Sequence, residues 1–348
     1  MYDLELVGAS IKLLRDMFGV QKDESVVLTC DTESNYEVVN ATAQAAYALS
    51  AKPIIVKTAA ARGVGKAADP DLPQKELIGL LSEADVWIEY NNEWIFYSTV
   101  FDEAFRRNKK LRYTNLVGAN PDLIIRNIGR VDIPLLREFI LKVEDLTRRA
   151  RHVRITTPAG TDVEFDNDPG RAFYTADGYI KKGEIKMMPG QISWTPQFKT
   201  INGTIVIDGT LTPPLGKVQN PIKLTIKADR VVDISGGQDA SAFKAWLESF
   251  KDEKMFTLAH LSYGFGPGAK LTGDIVEDER VWGSTEWGFG NIGPMLVPDI
   301  PGGIPASSHS DGICLNSTVY LDGKLLLKDG QIVGPTEEVV QLARKLGK

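Results

Sequence analysis

The feature that most constrains the fold is a change in sequence pattern near residue 150. Before that point, short apolar runs typical of buried strands alternate with amphipathic helical patterns. Such alternation favours a parallel sheet with helices on its faces, because parallel neighbours need a crossover connection. The predicted helices span 2–18, 36–50, 75–81, 98–108 and 133–149, and the predicted strands span 25–30, 53–56, 84–90 and 111–114, with a further short run at 115–117.

After residue 150, strand patterns follow one another directly, which favours an antiparallel sheet. The predicted strands span 152–157, 161–165, 200–208, 221–227 and 230–234, and the predicted helices span 240–251 and 336–346. The glycine-rich stretch 264–303 shows no regular periodicity, and its aromatic residues indicate an ordered functional loop. We therefore predict an α/β domain over 1–150 and an α+β, largely antiparallel domain over 151–348.

The length of the chain agrees with two domains, and its net charge argues against some classes of binding partner. The chain has 348 residues and a formal net charge of -6, which gives no electrostatic reason to expect nucleic acid or an anionic membrane. Two isolated cysteines, Cys30 and Cys314, indicate a reducing compartment. Residues 1–17 lack the pattern of a signal peptide, and no apolar run is long enough for a membrane span. We expect a soluble, cytoplasmic protein.

Two of the three histidines suggest a metal site. His260 ends an apolar run, and His309 stands two residues before Asp311. In an extended segment, residues two apart point to the same face, so this imidazole and carboxylate could reach one ion. Two histidines and one carboxylate with open positions form the arrangement of non-haem Fe(II) oxygenases. The residues alone leave open that these histidines are only hydrogen-bonded, whereas His152 is expected to be an exposed residue at a strand start.

Other motifs fail the tests of spacing or context. The glycine-rich runs at 264–268 and 63–66 lack the full phosphate-loop pattern, and no Gly-x-Ser-x-Gly nucleophile motif occurs. The acidic run 277–279 indicates a solvated turn.

The segments Ala-His-Leu-Ser-Tyr-Gly-Phe-Gly at 259–266 and Ser-His-Ser-Asp-Gly at 308–312 resemble the 2,5-dihydroxypyridine 5,6-dioxygenases. This family of Fe(II) ring-cleaving enzymes is similar in fold to the thermophilic metallo-aminopeptidases of the aminopeptidase T type. The likeness also covers 204–209, the turn at 236–237 and 319–323. It implies that His260, His309 and Asp311 bind Fe(II), that O2 cleaves the ring of a small hydroxylated aromatic or N-heterocycle, and that the chain forms a homo-oligomer.

The resemblance also shows where this sequence differs from the metallo-aminopeptidases and from the dioxygenases. The peptidase branch holds two metals through extra carboxylates, and Gln191 stands where one of those acids is expected. A neutral amide cannot balance a second divalent cation as a carboxylate does, so one metal and an oxygenase are favoured. The alternatives are a two-metal aminopeptidase that releases N-terminal amino acids and a non-catalytic member that binds a small ligand.

The remaining site residues follow from the same comparison. Tyr97 and Glu184 stand in place of family histidines and are predicted to transfer protons. The residues predicted to wall an apolar pocket around a flat ring are Trp194, Trp282, Trp287 and Met188. Each of these four is equally consistent with an ordinary core position.

Overall fold

The computed structural model describes residues 3–348, so the predicted helix start at residue 2 lies outside them. The chain divides into two compact units: the first runs to Ile133 and includes Gly178–Pro189, and the second comprises Pro134–Asp177 and Gly190–Lys348. The predicted boundary near residue 150 followed the change in sequence pattern. The helix before that point belongs to the second unit, where its Phe139 packs on Phe265 and Trp282 at centroid distances of 5.2 Å each.

The first unit has the predicted parallel sheet. Its strands are β1 Ser25–Cys30, β2 Lys52–Lys57, β3 Val86–Glu89 and β4 Arg112–Asn115, and its α-helices are α1 Asp3–Lys12, α2 Tyr36–Ala48, α3 Gln74–Leu81, α4 Thr99–Arg107 and α5 Pro121–Ile124. π-Helical turns at Leu13–Met17 and Ile125–Gly129 extend α1 and α5, and Gly65–Asp71 is a 3-10 helix. All strand pairs are parallel, in the order β2-β1-β3-β4. Every residue of β3 and β4 is buried, as expected for a parallel sheet covered on both faces.

The second unit is mainly antiparallel. Its α-helices are α6 Ile133–Arg149, α7 Gln238–Ser249, α8 Ile275–Asp278 and α9 Glu337–Lys345, with a 3-10 turn at Glu253–Phe256. Its strands are β5 His152–Thr156, β6 Asp162–Asp166, β7 Phe173–Ala176, β8 Gln191–Trp194, β9 Asn202–Ile207, β10 Thr210–Thr212, β11 Gly216–Lys217, β12 Ile222–Lys227, β13 Arg230–Gly236, β14 Leu258–Gly264, β15 Thr285–Ile292, β16 Ile304–Cys314, β17 Thr318–Leu321, β18 Lys324–Lys328 and β19 Gln331–Ile332.

These strands form two sheets, which confirms the predicted antiparallel architecture. One has the order β11-β10-β16-β15-β14-β8-β7, and the other has the order β13-β12-β9-β6-β5-β17-β18-β19. Phe165 of the eight-stranded sheet meets Trp194 and Trp287 of the seven-stranded sheet at centroid distances of 6.5 and 6.3 Å. All three side chains are buried, so the facing sides of the two sheets make the core.

The prediction of a loop through 264–303 is wrong over its middle part, because β15 runs there for eight residues. Strands β7 and β8 were also not predicted. The β15 sequence contains two interior glycines and a glutamate, residue types that are depleted in strands. Its burial on both faces comes from its central place in the sheet, which local sequence does not encode. Among the described residues, no helix is both long and apolar enough to cross a membrane.

The contact between the two sheets gives a stability prediction. Phe165 is 1% exposed, so Phe165→Ala should leave a cavity and lower the free energy of unfolding by about 3–5 kcal/mol. Val232 is 53% exposed, so Val232→Ala is the control and should change stability by less than about 0.5 kcal/mol. Denaturant unfolding followed by circular dichroism measures both. Equal losses in the two variants would contradict the assignment of Phe165 to the core.

Candidate metal centre

Three neighbouring strands bring the predicted metal ligands together. In the sheet register, Gly288 of β15 lies directly between His260 of β14 and Asp311 of β16. Directly paired residues point to the same face, and His309 lies two residues before Asp311 on the same strand. The imidazole Nε2 atoms of His260 and His309 are 3.2 Å apart. Asp311 Oδ1 lies 3.0 Å from His309 Nε2 and 3.6 Å from His260 Nε2.

Gly288 makes this convergence possible. A Cβ atom at Gly288 would lie 2.5 Å from Nε2 of His260, well inside van der Waals contact. The absence of a side chain on the middle strand therefore leaves the space that the His260 imidazole fills. The glycine is required by this close approach rather than by an unusual backbone angle.

The electrostatics favour a neutral imidazole at His260 and an ionised carboxylate at Asp311. Burial lowers the pKa of His260 to about 4, so its imidazole is neutral at physiological pH. Burial also acts to lower the pKa of His309, but the charge and hydrogen bond of Asp311 outweigh it and the net shift is upward. Burial acts to raise the pKa of Asp311, and the two histidines reverse this, so that carboxyl titrates below its usual range.

The three atoms fit one metal ion. Ligand atoms about 2.1 Å from an ion and at right angles to one another lie about 3.0 Å apart, close to the three distances seen here. The Nδ1 atom of His260 is buried and has no hydrogen-bond partner among the described residues. The side chain of His309 is 33% exposed, against 12% for His260, so the centre is more accessible at His309. The three donors would occupy one side of such an ion and leave its other side for further ligands.

Two glutamates extend the centre beyond the predicted residues. Glu279 and Glu286 lie with Asp311 in a cluster in which one carboxylate oxygen of each residue lies within 4.8 Å of the others. Glu286 lies on β15 two residues before Gly288, on the same face, and its Oε1 is 3.7 Å from Nδ1 of His260. Burial, followed by the charges of Glu279 and Asp311, raises the pKa of Glu286. Glu286 could not be found from the sequence because it stands alone inside the unpredicted strand β15.

The expectation of a solvated acidic turn at 277–279 is wrong. Glu277 and Asp278 are at most 1% exposed, and Glu279 belongs to the carboxylate cluster. These acids are buried because local backbone N–H groups solvate them: Glu277 accepts from the amide of Lys270 at 2.9 Å, and Asp278 from the amide of Thr272 at 2.7 Å. Hydrogen bonds of this kind replace water around a carboxylate.

Gln191 and Arg280 complete the centre. Gln191 Nε2 donates to Glu286 at 2.7 Å and to Glu279 at 3.0 Å. Arg280 donates to Glu279 at 2.6 Å through Nη1 and to the Gln191 side-chain oxygen at 3.0 Å through Nη2. Burial raises the pKa of Glu279 to about 6, with Arg280 opposing the shift. Arg280 was not singled out in the sequence, since it follows an acidic run that looked solvated.

The tryptophans predicted as pocket walls all lie in the second unit. Trp194 and Trp287 pair with Leu261, which points to the opposite face from His260, and both are buried between the sheets. Trp282 stacks on Phe139 with an interplanar angle of 23°. The structure thus places Trp194 and Trp287 on the other face of the sheet from the donor set, and the role of all three rings in substrate binding stays a prediction.

The other predicted residues belong to the first unit. Met188 is fully buried, and Glu184 Oε2 accepts a hydrogen bond from the amide of Lys181 at 2.9 Å. Tyr97 is 48% exposed and has a φ of 66°, an uncommon conformation for a residue with a side chain. Glu89 supports the turn before Tyr97 by accepting a 2.5 Å hydrogen bond from the amide of Ile95. The proposed roles of Tyr97, Glu184 and Met188 remain predictions.

Comparison with known proteins adds a second line of support. A family model described as "NicX: 2,5-dihydroxypyridine 5,6-dioxygenase" matches residues 10–334. No curated protein matches the sequence. The structure is similar to 2,5-dihydroxypyridine dioxygenase from Pseudomonas putida KT2440, with a TM-score of 0.77, 21% identity, and coverage of 97% of this chain and 99% of that one. It is also similar to wild-type AmpT from Thermus thermophilus, with a TM-score of 0.66, 14% identity, and coverage of 96% and 100%. These matches confirm the resemblance inferred from the motifs around His260 and His309.

The close approach of Gly288 to His260 predicts the effect of adding a methyl group. Gly288→Ala should displace the imidazole and weaken divalent-metal binding by about 10–100-fold, the range seen when the support of a metal ligand is lost. Calorimetric titration with Mn(II) would measure the affinity. Gly79→Ala, at a helical glycine with open space around its Cβ, is the control and should leave the affinity unchanged. An unaltered affinity in folded Gly288→Ala would contradict the role given to this glycine.

Proposed function

Because this chain belongs to the 2,5-dihydroxypyridine 5,6-dioxygenase family, whose members are ring-cleaving oxidoreductases acting on a small aromatic substrate with O2, we propose that it works with a single Fe(II). We further propose that it opens a dihydroxypyridine-like N-heterocycle in the extradiol manner, at a bond beside a hydroxylated carbon. The observation that carries the proposal is the convergence of His260, His309 and Asp311 within 3.0–3.6 Å of one another.

The chemistry of the donor set supports iron. Two imidazoles and one carboxylate leave coordination positions open, and Fe(II) bound there would supply a site for the substrate's hydroxyl oxygen and for O2. The protein's own contribution is to hold these donors in place on three hydrogen-bonded strands. Glu286 faces Nδ1 of His260 and would orient that ring, as carboxylates commonly do behind metal-bound histidines.

Two residues are proposed to transfer protons. We propose Tyr97 as a proton donor at its phenolic oxygen, and Glu184 as a second group that holds or releases a proton at its carboxylate. The unusual backbone angle of Tyr97 supports a functional role, because strained residues concentrate at functional sites. Met188 and the three tryptophans Trp194, Trp282 and Trp287 remain proposed contributors to substrate binding.

Two further parts of the proposal concern the state of the protein in the cell. Cys30 and Cys314 are both free and buried, which supports a reducing, cytoplasmic location. We also propose a homo-oligomer, which light scattering coupled to gel filtration would test directly.

The alternative function is hydrolysis of peptides with two metal ions. The observation that favours it is the similarity in fold to AmpT. Gln191 and Arg280 argue against it, because neither can serve as an anionic metal ligand. Two metals in the wild-type chain with release of amino acids from peptides would replace the dioxygenase proposal.

The metal assignment predicts the effect of removing one ligand. His260→Ala should lower bound iron from about one per chain to near zero and abolish O2 uptake with 2,5-dihydroxypyridine, while circular dichroism stays unchanged. His152→Ala removes a histidine that is 47% exposed and pairs with Asp166, so it is the matched control and should keep both iron and activity. Elemental analysis after anaerobic loading and an oxygen electrode give the readouts. Full activity in folded His260→Ala would end the proposal.

The proton-transfer assignment predicts a separate effect. Tyr97→Phe removes only the hydroxyl group, so kcat should fall by about 100-fold or more, while iron content stays at the wild-type level. Tyr47→Phe, at a ring that is 79% exposed, is the control. An unchanged kcat in Tyr97→Phe would remove this residue from the mechanism.

A further inference from the structure

We propose that Arg280 and Gln191 occupy the place of a second cation and thereby restrict this centre to one metal ion. The inference rests on the proposed iron site at His260, His309 and Asp311. It concerns the other side of that site, where Asp311 shares a cluster with Glu279 and Glu286.

The carboxylate cluster alone would suit a second divalent cation. Each of its three acidic side chains contributes one oxygen, these oxygens lie within 4.8 Å of one another, and Glu286 is only 1% exposed. Oxygen-rich clusters of this size commonly bind divalent ions. In this chain the cluster instead meets two side chains that carry hydrogen-bond donors.

Arg280 supplies a fixed positive charge at the cluster. Its side chain is 1% exposed, and its Nη1 donates to Glu279 at 2.6 Å and to the carbonyl of Val276 at 2.8 Å. A guanidinium stays protonated at any physiological pH and cannot act as a metal ligand. A cation entering beside Glu279 would therefore have to displace a charge that belongs to the chain.

Gln191 extends this donor surface to the second glutamate. Arg280 Nη2 donates to the amide oxygen of Gln191 at 3.0 Å, which fixes the orientation of the amide. The amide nitrogen must then face Glu286 and Glu279, at 2.7 and 3.0 Å. A glutamate at this position would offer only acceptors, whereas the amide directs its hydrogens to the oxygens that a second metal would need.

The formal charges balance for one divalent ion. The three carboxylates carry three negative charges when ionised, and a divalent ion nearby favours that state. Arg280 contributes one positive charge and a single divalent ion contributes two, so the buried centre is neutral. A second divalent ion would leave two uncompensated positive charges in a buried site, which is strongly unfavourable.

The same charge count identifies the substitutions that should create a binding site for a second metal ion. Gln191→Glu adds one negative charge, and Arg280→Met removes one positive charge while keeping an apolar stem. Together they give four carboxylates and no internal cation, which two divalent ions would neutralise. Each single variant should still bind one ion, because neither alone restores neutrality with two.

The experiment measures metal stoichiometry rather than turnover. Wild type, both single variants and the double variant are loaded with Mn(II), passed through a desalting column, and examined by elemental analysis and electron paramagnetic resonance. We expect one Mn(II) per chain and an uncoupled signal in wild type. In the double variant we expect two Mn(II) per chain and a spin-coupled pair. Arg171→Met combined with Gln197→Glu makes the same chemical changes away from the centre and should bind one ion.

The outcomes separate this inference from the proposed function. A folded double variant that binds one Mn(II) overturns the inference and leaves the iron site intact. A wild type that binds no Mn(II), or no Fe(II), overturns both. If the double variant does not fold, wild type titrated with excess Mn(II) decides: a spin-coupled second ion in the unaltered chain refutes the inference, and one uncoupled ion at saturation supports it.

Discussion

The centre depends on the register of three adjacent antiparallel strands, β14, β15 and β16. Hydrogen bonding across these strands places His260, Gly288 and Asp311 side by side, and the missing side chain of Gly288 leaves the room in which the imidazole lies. A shift of one residue in either pairing would turn a ligand to the opposite face, where the tryptophans of the core lie. The packing of the two sheets and the formation of the donor set are therefore consequences of the same register.

The sequence predicted the parts of the structure that short-range periodicity encodes. Alternating strand and helix patterns indicated the parallel sheet of the first unit, and the spacing of His309 and Asp311 placed both on one face of a strand. The partnership with His260 came from family resemblance, because nothing local links residues so far apart. Strand β15 was missed because its glycines and glutamate are unfavourable for isolated strands. They are explained only by the neighbouring strands of the sheet, β14 and β16.

The acidic residues show a second limit of reading sequence alone. The run 277–279 was expected to face solvent, yet its carboxylates are satisfied by backbone amides and by Arg280. A charged residue in a sequence indicates solvent exposure only where the fold supplies no hydrogen-bond donors to its side chain. Donors that come from other strands cannot be identified from the local sequence. Gln191 was noticeable because an acid was expected there, whereas Arg280 became meaningful only when its contacts were known.

Because Arg280 is part of the chain, its charge cannot be removed by a chelator. Stripping the metal from this centre would take away two of the three positive charges that face the carboxylates and leave the third in place. The empty site would then keep one internal counter-ion and the amide contacts of Gln191, which oppose the mutual repulsion of its three acids. An internal counter-ion of this kind would stabilise the region before the metal ion binds.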